Sequence, residues 1–549
     1  MDMIRRIIVV LALCASAFDL SMSQSIYLHP SHEVYDFLKR MEGKQVITGY
    51  RDAVKPLTRQ EISRFLIVTD ERASLLTPVE RDELLFYKQE FFVEFQQLGY
   101  QKEMPEERWH LYPYRSEPGV FNVDLVGGYA IQANPTNTST RTRSNGLFAY
   151  GYGGNFMGMY LYFRDNQESG TYVDVRKDLT PQRGQIISKT NDNAIQYDLA
   201  DAQLTFDVAF LKFSVEKMPN AWGAGSHGNL ILGDKPPSYP QLKMRARLGK
   251  DVDFTFIHSW LSSDVVDSLN SYYAHTVRGP ADFRAIYRQK YLAAQMLEAS
   301  VAQGVDIAVG ESEVYGGRNP ELLYLIPGMF YFAAEHYTGD EDNKQVFSSV
   351  DINAIRNLNL YATLFLDEFS VSEFTIPDRQ RNQLGFTLGV RSYDLLYPNT
   401  DVLVEYTRTN PWVYNHKYPD ATFQSHSFDL GHWIGQNADD LYLEANYRPM
   451  RELRVGIQFE SLRKGGKDSS RFQYELPTPT FLYSPVIKHQ SYGITARYEP
   501  VRDLFVDVHL FISRYAQDTD VRGTFQYARL SDNYADRIDG LIALRYNFY

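Results

Sequence analysis

Leu541-Ile542-Ala543-Leu544-Arg545-Tyr546-Asn547-Phe548-Tyr549 is the stretch whose reading decides the fold. Ile542, Leu544, Tyr546 and Phe548 alternate with Ala543, Arg545 and Asn547. That is the two-residue period of a strand with one apolar and one polar face. A free apolar edge of this kind invites pairing with another chain, and a closed barrel removes the edge by joining its last strand to its first. The stretch therefore reads as the closing strand of an outer-membrane β-barrel, with its aromatics at the membrane interface. A terminal strand in a soluble sheet is the alternative. Tyr549 lies one residue beyond the apolar frame.

Composition supports the barrel. The chain has 549 residues, 40 of them Tyr and 33 Phe, yet its mean hydropathy is −0.38. After the N-terminus no apolar run reaches the roughly 18 residues a membrane helix requires. Barrels hide lipid-facing residues in alternation, which suits a hydrophilic average rich in aromatics. A formal net charge of −12 argues against a nucleic-acid partner, which calls for a basic stripe.

At the N-terminus, Arg5 and Arg6 precede the apolar run Ile7–Phe18, and Ser21 and Ser23 flank a cleavage point before Gln24. Residues 1–23 read as a secretory signal peptide. Lipidation at Cys14 fits less well, because Leu13 stands where a small residue is expected. Cys14 is the single cysteine, so the exported chain offers no disulfide or thiol chemistry.

Residues 24–110 read as a small helical periplasmic domain. Val34, Phe37, Leu38 and Met41 have helical spacing. Thr58 with Glu61, and Thr77 with Pro78 and Glu80, are capping boxes that open two more helices. The last is expected to run to Gly99. Such a domain serves as a plug or spacer, or as a contact for periplasmic partners.

From about Gly119 the period becomes two, and residues 111–549 read as the barrel. Leu147–Tyr152 and Phe156–Phe163 form a hairpin across Gly153-Gly154. Leu358–Asp367, Gln383–Arg391, Leu453–Glu460 and Leu504–Ser513 alternate apolar-out and polar-in. Tyr291–Val301 has helix-forming composition and is assigned a strand from its context. Ala445-Asn-Tyr447-Arg-Pro449-Met-Arg451-Glu-Leu453 recurs as Ala496-Arg-Tyr498-Glu-Pro500-Val-Arg502-Asp-Leu504. Each copy joins two strands by a short proline turn. Long polar loops are expected at Arg164–Tyr197, Ser262–Arg288, Asn410–Asp440 and Lys464–Gln490, and the residues available make roughly 16–18 strands.

Two stretches carry candidate chemistry. Ala221–Leu232 sets Trp222, Ser226, His227 and Asn229 among glycines that let the backbone approach a ligand closely. Ala224–Gly228 nearly matches a hydrolase nucleophile elbow, but that motif needs a helix afterwards, and strand-like Leu230–Leu232 follows. Gly431–Asp439 gathers His432, Trp433, Asn437 and Asp439, a mixture suited to carbohydrate: ring faces stack on sugar carbons, while amides and carboxylates take hydroxyls. Loops tied down by their own hydrogen bonds are the bland alternative for both. Asp340, Asp342 and Asn343 lack the full calcium-loop pattern, and no nucleotide or zinc motif occurs. No catalytic residue, metal or cofactor is assigned.

At these residues the chain resembles the Wzi capsule-assembly proteins of the bacterial outer membrane. Trp222-Gly223-x-Gly225 with Asn229–Leu232 and Pro240 carries the resemblance. Glu311-Ser312-x-x-Tyr315-Gly316 and Gly431-His432-x-Ile434-Gly435 with Asp439 add to it, as do Tyr35–Leu38 and Lys55–Arg59. It implies a monomeric barrel of about 18 antiparallel strands with a periplasmic helical bundle, set in outer-membrane lipid and holding capsular polysaccharide. The expectation is a non-enzymatic barrel that binds or anchors surface polysaccharide and assists capsule assembly. Trp222, His227, Asn229, His432, Trp433, Asn437 and Asp439 are its candidate contacts. A porin-like channel and an outer-surface adhesion or motility component are the alternatives; Phe365 and Phe511, on the lumen-side register, point to a filled interior.

Overall fold

In the computed structural model the alternation read along the chain becomes a barrel wall. Residues 25–548 are described, apart from 275–281, 369–381, 467–477, 484–485, 518–535 and positions 118, 136–137, 155, 172, 175–176, 192 and 340. The signal-peptide assignment and Asp340 lie outside the described residues.

Eighteen antiparallel strands close on themselves. They are β1 Gly119–Ala133, β2 Ser139–Gly153, β3 Met157–Gly170, β4 Ala194–Val208, β5 Leu211–Met218 and β6 Tyr239–Arg247. Then come β7 Val252–Leu261, β8 Lys290–Ala302, β9 Val305–Gly316, β10 Asn343–Ile355, β11 Leu358–Glu368 and β12 Gln383–Tyr393. The last six are β13 Thr400–Thr409, β14 Ala438–Met450, β15 Leu453–Lys464, β16 Ile487–Val501, β17 Leu504–Gln517 and β18 Arg537–Tyr546. β18 closes the barrel on β1, from Gly540 opposite Ala133 to Tyr546 opposite Gly127. Ile542 and Leu544 face outward at 61% and 48% exposure, while Ala543 between them is 1% exposed.

One expectation about this strand is corrected. Asn547 has φ +50°, a left-handed residue that ends the alternation. Phe548 therefore turns inward, 3.8 Å from ring centroid to the Arg164 guanidinium, rather than continuing the outer aromatic frame.

The short connections gather at one end. Ala209, Gly304, Asn357 and Asp503 take positive φ in the short turns, and at the last three the strands shift register beside the left-handed residue, as in a bulged hairpin turn. Both copies of the proline repeat sit at register shifts, between Tyr447 and Met450 and between Tyr498 and Val501. A residue without an N–H is tolerated where the ladder is already interrupted. The long connections lie at the other end. Two are shorter than expected, because β3 runs on to Gly170 and β16 begins at Ile487. β8 is the strand that context called for: Leu292, Ala294 and Met296 face the lumen and are buried in its core.

The N-terminal helices are α1 Val34–Gly43, α2 Arg59–Glu71, α3 Pro78–Glu90 and α4 Phe92–Gln97, and a further helix, Tyr331–Thr338, lies on the connection after β9. Both capping boxes form, at Thr58/Glu61 and Thr77/Glu80. The expected single helix from Thr77 to Gly99 is broken at Phe91. The cause is Arg59, whose guanidinium takes the Glu90 carbonyl (2.7 Å), an acceptor that a continuous helix would have used itself.

The bundle caps the short-turn end. Arg40 pairs with Asp394 and Asp401, Arg51 with Asp253 (2.8 Å) and Arg448 with Glu83. The repeat supplies a matched grip, with Arg451 and Arg502 lying 4.6 and 3.8 Å from the centroid of Phe86. The segments flanking the helices enter the barrel. Gln203 on β4 clamps the Tyr27 backbone by two hydrogen bonds (2.9 and 2.7 Å), and Val54-Lys55 pairs as a short strand with Ala221-Trp222.

Candidate functional site

At the long-loop end three connections fold into the lumen and lock together. Trp222 N–H donates to the Leu232 carbonyl (2.7 Å) and Gly233 N–H to that of Leu430 (2.7 Å). The Tyr414 hydroxyl donates to the Leu230 carbonyl (2.6 Å). Lys235 Nζ reaches the carbonyls of Lys177 (2.5 Å), Thr180 (3.0 Å) and Gln182 (2.8 Å), tying in the connection after β3. Beneath them an apolar core fills the interior. Trp222, Leu230, Ile231, Leu232, Phe347, Phe365, Tyr414 and Phe423 are all 2% exposed or less. Phe365 does occupy the lumen, against Tyr414 and Phe423. Phe511 keeps the inward register between His509 and Ser513 and is partly buried.

The seven candidate residues divide among different roles. Trp222 belongs to this core, fully buried against Phe347, and offers no face to a solvent-borne ring. His227 lies flat on Tyr442 (3.6 Å between centroids, 5°) with Trp433 edge-on at 5.4 Å. Its Nε2 is 3.0 Å from Glu460 and 3.8 Å from Asp440. Trp433 donates its indole N–H to the His227 carbonyl (2.9 Å) and is buried with Leu179, Ile434, Leu462 and Ile487. His432 is buried against Gly228, where an added Cβ would overlap the imidazole. Asn229 lines an interior cavity, its Oδ1 without a hydrogen-bond partner among the described residues. Asn437, fully buried at φ +53°, is a clasp: its side chain donates to Gly466 O (3.0 Å) and accepts from Leu482 N–H (2.8 Å).

Asp439 is the exception. It stands on the outward register of β14, next to inward-facing Asp440, and pairs with Arg463 and the Tyr406 hydroxyl (3.0 Å) on the outer wall. The structure thus brings the other six to one mouth and leaves Asp439 outside it. Ser226 offers no nucleophile arrangement, since its hydroxyl meets Tyr361 (3.1 Å) while the His227 ring turns to Glu460.

Two features were missed in the sequence. The first is a polar cavity of about 410 Å³ in the lumen beneath the connection after β3. Thr140, Asn166, Glu168, Arg183, Gln185 and Tyr197 line it. Arg183 Nε and Nη2, Gln185 Oε1 and Arg164 Nε are buried there without hydrogen-bond partners among the described residues. Buried polar groups are normally satisfied, which marks this cavity as a candidate contact region. Their signal in the sequence was only inward parity on β2–β4, which does not say where a lumen stays open. The second is an exposed aromatic platform on the connection after β7. Tyr273 (66% exposed) pairs with Phe283 across a small hairpin, their ring centroids 5.1 Å apart, and Tyr272 (57% exposed) beside it lies opposite Arg284. The adjacent tyrosines were the visible signal, in a segment read only as a long loop.

A family model described as capsule assembly protein Wzi matches residues 139–530. Among solved structures the chain is similar to Wzi of Escherichia coli, described as an outer membrane protein involved in group 1 capsule assembly and a carbohydrate-binding β-barrel. That match has 12% identity and a TM-score of 0.54, covering 96% of this chain and 100% of that one. Weaker overlaps link it to OprD of Pseudomonas aeruginosa (9% identity, TM-score 0.40, 78% and 93% covered) and OpdK of the same organism (9%, 0.43, 79% and 99%). No curated protein matches it in sequence. The chain belongs to the Wzi capsule-assembly family, and family and fold support an outer-membrane location.

Proposed function

From that membership we propose that this chain is a non-enzymatic, monomeric outer-membrane barrel that holds surface polysaccharide at its long-loop mouth and so assists capsule assembly. The short-turn end with its bundle faces the periplasm in this reading, since transmembrane barrels carry short turns on that side. The observation that carries the proposal is the polar cavity beside the mouth. Among the described residues, the Arg164 and Arg183 guanidinium groups and the Gln185 amide keep polar atoms without a hydrogen-bond partner there, beside the Glu168 carboxylate and the Tyr197 hydroxyl, a mixture that suits the hydroxyl-rich surface of a sugar. The Tyr273–Phe283 pair, with exposed Tyr272 at the next position, offers ring faces for further residues of the same glycan. Trp433, His227, Asn229, His432 and Asn437 shape the mouth behind these contacts. The filled lumen favours this reading over a solute channel.

The test compares cell-attached with released polysaccharide, at equal total synthesis, in a strain lacking the chain. Complementation uses the wild type, the double variant Arg183→Ala/Gln185→Ala, and Tyr272→Ala/Tyr273→Ala. The expected result is release to the medium without the chain, restored attachment with the wild type, and partial attachment with either double variant. An attached fraction unchanged by deletion overturns the proposal.

A further inference from the structure

Around His227 the barrel wall supplies more carboxylate than the surrounding hydrogen bonds consume. Three acidic side chains converge from neighbouring strands: Glu405 on β13, Asp440 on β14 and Glu460 on β15. Glu405 is fully used, accepting the backbone N–H groups of Ser226 (2.6 Å) and His227 (3.0 Å) and the Tyr361 hydroxyl (2.5 Å). Glu460 meets His227 Nε2 with one oxygen (3.0 Å), and its other oxygen lies 3.3 Å from His489 Nδ1. Asp440 is left over. It is 3% exposed, its Oδ1 has no hydrogen-bond partner among the described residues, and its Oδ2 lies 3.8 Å from His227 Nε2. His489 is 7% exposed and stacked on Tyr515 (4.3 Å, 11°), with its Nδ1 the ring nitrogen that faces Glu460. One ligand atom each from His227, Asp440 and Glu460 lies within 4.8 Å of the others.

We propose that His227 Nε2 and the carboxylates of Asp440 and Glu460 bind a divalent transition-metal ion, Zn²⁺ by its chemistry, with His489 orienting Glu460. Tetrahedral zinc with bonds of about 2.0–2.1 Å sets its ligand atoms roughly 3.3–3.4 Å apart, between the 3.0 and 3.8 Å found from His227 to its two carboxylates. An imidazole beside carboxylates selects zinc-like ions over Mg²⁺ or Ca²⁺, which take oxygen ligands. The imidazole is held in place by the Tyr442 and Trp433 rings, as a ligand must be. The His227 and Glu460 side chains each keep 12% exposure, and His227 borders an interior cavity of about 420 Å³. Two carboxylates balance the dication. Since His227 sits on the loop after β5 and the carboxylates sit on the wall, the ion fastens the loop to β14 and β15.

The experiment uses the full chain in detergent, purified without chelator, analysed for metal content, then stripped and titrated with Zn²⁺. Co²⁺ substitution, read by its visible absorption bands, reports the ligand geometry. The expected result is one Zn²⁺ per chain, and Co²⁺ loaded into the stripped chain giving tetrahedral-type bands that added Zn²⁺ abolishes. Asp440→Asn should weaken Zn²⁺ binding by more than about 100-fold and His489→Gln by roughly 10–100-fold. Asp439→Asn, one residue away on the outer wall, should leave binding unchanged and serves as the folded control. Stoichiometric binding absent at millimolar Zn²⁺, or binding equally strong in Asp440→Asn and Asp439→Asn, overturns the site.

Discussion

Arg59→Met tests what holds the helical bundle to the barrel. Arg59 is 1% exposed and joins three elements. Its guanidinium pairs with Glu94 (2.6 Å) and Glu90 (3.2 Å), and it lies 4.4 Å from the Phe91 ring centroid and 4.5 Å from that of Tyr150 on β2. Without it Glu90 keeps Arg108 (3.1 Å) and Arg502 (3.6 Å). Glu94, fully buried, keeps only the Tyr152 hydroxyl among the described residues. Removing one partner of a buried ion pair costs about 3–5 kcal/mol, because the other charge stays behind uncompensated. That is roughly two to nearly four orders of magnitude in the opening equilibrium. Hydrogen exchange of the α2–α4 amides in the detergent-solubilised protein should accelerate by that factor, with the barrel strands unchanged. Glu94→Gln in the Arg59→Met background should recover all but about 1 kcal/mol, since a neutral amide still accepts from Tyr152 without a buried charge. An acceleration below about tenfold, or no rescue by Glu94→Gln, would refute the charge argument and leave lost packing as the cause.

Burial holds the His32 imidazole at about 4 and that of His29 at about 3, both below the free value near 6.5. The folded bundle therefore binds fewer protons than the unfolded chain just below pH 6.5, and its stability falls as pH drops through that window. The slope is at most about 1.4 kcal/mol per pH unit per histidine; limited proteolysis at pH 7.5 and 5.5 should show faster bundle cleavage at the lower pH, reduced in His32→Asn, and equal rates would contradict it. In planar bilayers the wild-type chain should show no stepwise conductance, because the Trp222 and Phe365 core fills the lumen, and regular porin-like steps would disprove the seal. Gly228→Ala should destabilise the mouth by about 1–3 kcal/mol through overlap with the His432 ring, seen as a lower melting midpoint in near-ultraviolet circular dichroism; Gly249→Ala, where nothing lies within 4 Å of the added carbon, tests a strained turn without overlap and should leave the mouth signal intact.

The wall was legible in the sequence because parity is local. A strand reports its buried face through alternate residues whatever it pairs with, so β11, β12, β15, β17 and β18 could be read from single segments. The capping boxes were legible for the same reason, since Thr58 and Glu61, or Thr77 and Glu80, satisfy each other within one turn. What failed was settled by distant partners. The helix break at Phe91 depends on Arg59, and the inward turn of Phe548 depends on one left-handed residue and on Arg164. Trp222 reads like a sugar platform until Val54, from before the barrel, pairs with it inside the lumen. Asp439 and Asp440 are chemically equal in the sequence, and only the register of β14 sends one to the outer wall and the other to His227. The mouth is built by loops meeting across the barrel: Glu405 and His227 are 178 positions apart, and no periodicity encodes that distance. Residue type thus identified the chemistry available at the mouth. Which groups remain free to act there follows from how much of each loop is consumed in holding the others, and for Arg183, Gln185 and Asp440 some polar atoms have no partner among the described residues.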